Sequence, residues 1–151
     1  MRKKLISLLL SLSICLSFMS MAVFADETVY NVWVNGDRFT SNCLTIQCGD
    51  GTAKFNPQTN ELTLTNATIT KDYFAAGIYC NKEDLTVILV GNNSIKTVFY
   101  GINLYRKSLT ITGKGNLSIE DGIGNGLLID TNDVGEDITI DIEGTLSIKS
   151  N

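Results

Sequence analysis

Histidine is absent from all 151 residues, and arginine is close to absent: after Arg2 the chain holds only Arg38 and Arg106. A serine or cysteine nucleophile therefore lacks its usual imidazole base. A structural site of four cysteines and histidines cannot be assembled either. Basic charge is scarce as a whole. Without Arg2, Lys3 and Lys4, nine of the 12 basic residues remain against 16 acidic ones, a net charge of −7. Such a surface repels phosphate backbones and anionic lipid, which argues against nucleic acid or a membrane as partner of the mature chain.

Long apolar runs are missing except at the start. Arg2, Lys3 and Lys4 precede a leucine- and isoleucine-rich stretch from Leu5 to Met21, and Val23-Phe24-Ala25 offers small residues where a signal peptidase cuts. The serines at 7, 11, 13, 17 and 20 weaken the stretch as a permanent span. Residues 1–25 are thus expected to be a signal peptide, cleaved before Asp26, with the mature chain extracellular or on the cell surface. Cys43, Cys48 and Cys80 then remain in an oxidising compartment, an odd number. Cys43 and Cys48 are near enough in sequence to pair across a short loop, while Cys80 reads as a small buried apolar residue.

What the chain does have is repetition. Leu62-Thr63-Leu64, Leu85-Thr86-Val87, Leu109-Thr110-Ile111 and Ile138-Thr139-Ile140 are spaced by 23, 24 and 29 residues. Each is followed by Thr68-Ile69, Ser94-Ile95, Ser118-Ile119 or Ser147-Ile148. Between successive copies come Gly77-Ile78, Gly101-Ile102 and Gly126-Leu127. Three short apolar legs per period describe a solenoid. A leucine-rich repeat shares the period, but its asparagine should lie at a constant offset, whereas Asn66 follows Leu62 by four residues and Asn92 and Asn116 follow Leu85 and Leu109 by seven. The third leg is also β-compatible where that repeat would turn helical or irregular. The expected fold is all-β, a right-handed single-stranded parallel β-helix over residues 61–151, with a hairpin-rich N-terminal cap over 26–60. Asn35-Gly36 and Gly49-Asp50-Gly51 supply the turns of the cap.

Alternation sends Leu62, Leu64, Leu85, Val87, Leu109, Ile111, Ile138 and Ile140 inward and leaves the intervening threonines outside. Asn66, Asn92, Asn116 and Thr145 fall in one column, three residues before Ile69, Ile95, Ile119 and Ile148. Stacked amides can bond coil to coil, so the Asn-x-Ser/Thr triplets read as a ladder rather than as glycan acceptors.

Three chemistries are candidates. Tyr73, Phe74, Tyr79, Phe99, Tyr100 and Tyr105 gather around the Gly-Ile leg beside Asn81, Asn103 and Asn125, the mixture of flat rings and amides that sugar recognition uses. Phe74 and Phe99 are expected in the core. Tyr79, Tyr100, Asn103 and Tyr105 are the expected carbohydrate contacts, with the outward threonines as a second surface. The acidic stretch Asp130 to Asp137 carries Gly135 much as a calcium loop does, making Asp130, Asn132, Asp133 and Asp137 candidate calcium ligands. Arg106 or Lys107 near Glu83 and Asp84 would be the base and acids of a lyase, although an exposed charged corner explains them as well.

Val32-Trp33-Val34-Asn35-Gly36, Gly49-Asp50-Gly51-Thr52 and the run from Phe55-Asn56-Pro57 through Asn66-Ala67-Thr68-Ile69 resemble the opening of secreted bacterial β-helix proteins described as carbohydrate-binding domain-containing. The later Gly-Ile and Leu-Thr-Ile copies are similar to their coils. The resemblance implies a pectate-lyase-like fold, an extracellular place and non-catalytic polysaccharide binding, sometimes with calcium. A structural or adhesive spacer and a lyase are the other expectations. Self-association through an open C-terminal coil is a further one.

Overall fold

The computed structural model describes residues 26–150 apart from 82, 98, 106, 122–123 and 131–135, so the expected signal peptide lies outside the described residues. Four antiparallel strands come first: β1 (Val29–Val34), β2 (Asp37–Thr40), β3 (Thr45–Cys48) and β4 (Gly51–Asn56). The chain then winds. β5 (Glu61–Thr65), β6 (Thr68–Ile69) and β7 (Ala76–Asn81) make one turn; β8 (Leu85–Val90), β9 (Asn92–Thr97) and β10 (Tyr100–Tyr105) make the next. β11 (Leu109–Gly113), β12 (Asn116–Asp121) and β13 (Leu127–Asp130) complete a third, and β14 (Ile138–Ile142) and β15 (Leu146–Ser150) open a fourth. Every third strand pairs in parallel with its predecessor, giving three faces: β7, β10 and β13 (face A), β5, β8, β11 and β14 (face B), and β6, β9, β12 and β15 (face C). The molecule is a β-solenoid of about three turns.

The interior is made by the alternation of each leg. Leu62, Leu64, Leu85, Val87, Leu89, Leu109 and Ile111 enter from face B, Ile69, Ile95, Leu117 and Ile119 from face C, and Ile78, Cys80, Ile102 and Leu104 from face A, all buried. Each such aliphatic side chain contributes about 1.5–3 kcal/mol by leaving water. Leu85 lies against Leu109, and Leu109 against Ile138, as the repeat predicts. The first copy is displaced. Leu62 pairs with Val87 rather than Leu85, and Leu64 with Leu89. A shift of two residues preserves the strand's in–out alternation, so the inward assignment survives the changed register.

The corner between faces B and C explains that shift. From Leu64 to Thr68 is one residue fewer than from Leu89 to Ser94, the positions they pair with. In the short corner Asn66 takes a left-handed φ of 48°, the conformation that Gly91 takes below it at 68°. Asn66 Oδ1 then accepts the Asn92 N–H at 3.0 Å, Asn92 Oδ1 accepts Asn116 Nδ2 at 2.8 Å, and Asn116 Oδ1 accepts the Thr145 N–H at 2.8 Å. The predicted asparagine column is therefore a continuous hydrogen-bonded rib.

The cap extends two faces upward. β1 joins face A antiparallel to β7, and β3–β4–β5 form an antiparallel meander on face B. Asn35 and Gly36, with φ of 54° and 86°, make the two-residue turn between β1 and β2 that matches strand twist. Phe39 and Phe55 close the top of the core, their ring centroids 5.3 Å apart. At the other end the inward positions Ile138, Ile140 and Ile148 remain 44, 48 and 45% exposed.

Candidate aromatic site on face A

Face A carries its rings outward in a fixed grid. Asn103 lies beside Tyr79 on the next coil, and Tyr105 beside Asn81, so two tyrosines and two amides alternate in a checkerboard. Antiparallel pairing with β1 puts Trp33 beside Tyr79 on the same surface, and Tyr100 lies next to Ala76. Trp33, Ala76 and Tyr79 form a second, small apolar cluster outside the solenoid core, with Tyr73 and Tyr100 packed on it. Trp33 stacks on Tyr73 at 4.7 Å with planes 5° apart. Tyr73 meets Phe74 edge-on at 4.7 Å, and Phe74 lies 5.1 Å from Tyr79.

Arg38 braces this cluster from the cap. Its guanidinium carbon is 4.5 Å from the Trp33 ring centroid, while Nε donates to the Tyr30 carbonyl at 2.7 Å and Nη2 to Asn31 Oδ1 at 3.2 Å. A cation over the negative face of a ring is attracted to it. Trp33 and Arg38 were legible only as cap residues. Alternation in Tyr30-Asn31-Val32-Trp33-Val34 does place Trp33 opposite to Val32 and Val34, the one signal that could have put it outside.

The structure brings Tyr79, Tyr100, Asn103 and Tyr105 together on one face, but not with equal access. Tyr79 is nearly sealed beneath its neighbours, and that burial pushes its phenol above the usual range. Tyr100, Asn103 and Tyr105 are half-buried. Two rings expected in the core are instead outside: Phe74 is 66% and Phe99 39% exposed. The reason is geometric, because the core between faces A and C is already filled by Ile69, Ile95 and Ile119, against which Gly77 and Gly101 present no side chain. The Oδ1 atoms of Asn81 and Asn103 are buried without a hydrogen-bond partner among the described residues.

The expected Cys43–Cys48 disulfide is not formed. Cys48 faces the interior while Cys43 is exposed outside the core, its Sγ against the Thr45 carbonyl at 3.5 Å. Burial pushes the Cys48 thiol up to about 11 and the Cys80 thiol up to about 12. Both stay protonated at neutral pH. Of the candidate calcium ligands, Asn132 and Asp133 lie outside the described residues, as does the side chain of Asp130. Asp137 is exposed, and its backbone N–H donates to Ser108 Oγ at 3.1 Å. Asp84 joins the same corner by accepting the Ser108 N–H at 2.9 Å. Of the two candidate lyase bases, Arg106 lies outside the described residues and Lys107 is half-buried.

No protein-family model, no curated protein and no solved structure matches this chain.

Proposed function

We propose that this chain is a secreted or surface-displayed, non-catalytic module that binds a neutral polysaccharide on face A. The observation that carries the reading is the aromatic shelf on one face, where exposed Phe74 and Phe99 flank half-buried Tyr73 and Tyr100. Rings offer apolar faces to the C–H side of a pyranose. A neutral glycan is favoured over a polyuronate because residues 26–151 carry the net charge of −7, which would repel a chain of carboxylates. Absence of catalysis is supported by the lack of histidine and by Asp84, whose carboxylate already serves a corner.

Retention on insoluble cellulose and a soluble β-glucan, compared with polygalacturonate, tests this. The neutral polymers are expected to hold the protein, and Tyr100→Ala with Tyr105→Ala to weaken retention at least tenfold. Retention by none of the polymers, or equal retention of the double variant, overturns it. A rigid spacer is the second reading, favoured by the continuous asparagine rib. It expects no retention at all.

A further inference from the structure

Positive φ is confined in this molecule to residues built for it, with one break. Among the described residues the left-handed positions are Asn35, Gly36, Gly49, Asn60, Asn66, Gly91 and Gly113, and then Phe74 at 48° and Ala75 at 59°. Glycine and asparagine adopt this conformation at little cost, whereas a Cβ of any other kind crowds the carbonyl that follows. Phe74 and Ala75 stand side by side at the centre of a two-residue turn. Tyr73 and Ala76 close it by exchanging both backbone bonds, N–H to O at 2.9 and 3.0 Å. This geometry ordinarily selects Asn-Gly, which the chain itself uses at Asn35-Gly36.

Packing does not account for the exception. Phe74 is the most exposed large apolar side chain among the described residues, at 66%, touching Tyr73 by its edge and Tyr79 at a tilt of 34°. Leaving two thirds of such a ring in water forgoes most of its burial energy, and holding it on a strained backbone adds a cost. Backbone strain of this kind clusters at ligand-binding and active sites.

We infer that Phe74 is the ring on which the apolar face of the saccharide docks, and that the Tyr73–Ala76 turn carries backbone strain in order to present it. The inference rests on the proposed glycan-binding function and names the contact that dominates it. The ligand class is narrowed to pyranoses with an uninterrupted C–H face, since an axial hydroxyl on that face would lift the sugar off the ring.

Two variants of the mature chain test it by melting temperature and by retention on cellulose and soluble β-glucan. Ala75→Gly relieves the strain at one of the two positions and keeps the ring; it is expected to raise the melting temperature by roughly 2–5 °C and leave retention within twofold. Phe74→Asn relieves the strain at the other position and removes the ring; it is expected to melt no lower than the parent yet lose at least tenfold in retention. Unchanged retention of Phe74→Asn, with retention still lost in the Tyr100/Tyr105 double variant, overturns this inference alone. A parent chain that binds neither polymer overturns the glycan reading along with it. A lower melting temperature for Phe74→Asn shows the ring to be a support for Tyr73 and Tyr79, which also refutes a role in presentation.

Discussion

Asn93 occupies a column in which the coils below hold leucine, Leu117 and Leu146. It is buried, and its amide is fully used: Oδ1 accepts the Ala67 N–H at 2.9 Å, and Nδ2 donates to the carbonyls of Val90 and Asn116 at 3.2 Å each. The short corner at Asn66 leaves the Ala67 N–H inside the coil without a strand partner, and Asn93 reaches up to take it. Replacing Asn93 by leucine should restore the apolar column and still destabilise the protein, because a buried N–H without an acceptor costs about 1–3 kcal/mol. A urea titration reads this directly. A midpoint equal to or above the parent's would mean that the apolar gain wins and that the amide is dispensable. Alternation back from Ile95 puts Asn93 rather than Asn92 on the inward face. Why an amide stands there instead of leucine depends on the corner above being one residue short.

Corners also fix how the faces lock together. A Cβ built on Gly77 would lie 2.6 Å from Ile95 Cγ2, and one on Gly101 or Gly126 would collide with Ile119 or Ile148. Each glycine of the third leg thus makes room for the isoleucine of the second, which is why Gly-Ile and Ser-Ile legs recur in step. The pattern was legible; its reason required the packing of face A on face C. Gly101→Ala should destabilise by roughly 1–3 kcal/mol, as overpacking of a filled core does. Pairing that change with Ile119→Ala, which removes the Cγ2 methyl at the crowded point, should give a double variant less destabilised than the sum of the two singles. Simple addition of the two single effects in a double-mutant cycle would show that the contact is absent. The same filling explains why Phe74 and Phe99 are outside. Their apolar character suggested the core, but only the isoleucine column shows that the space is taken.

Three legs of fixed order were readable because a solenoid repeats the same local pattern at each turn, so weak signals add. The two-residue shift of the first copy was not, since Leu62-Thr63-Leu64 and Leu85-Thr86-Val87 match equally well in either register. The aromatic face was legible as a set of rings, whereas the partnership of Trp33 with Tyr79 depends on an antiparallel pairing across 46 residues of chain. Stability in such a stack is nearly a sum over neighbouring coils, so it should be graded along the axis. Leu64 is sealed between the cap and the second turn, while Ile140, an inward-facing residue of the last described coil, is 48% exposed. Leu64→Ala should therefore cost about 2–5 kcal/mol, and Ile140→Ala under about 1. Amide exchange should follow the same order, slowest in β5 and β8 and fastest in β14 and β15, whose opening is local rather than global. The measurement is best made at two protein concentrations. If Ile140→Ala proves as costly as Leu64→Ala, and β14 gains protection as concentration rises, the isoleucine row is covered by a second copy and the stack is longer in solution than in one chain.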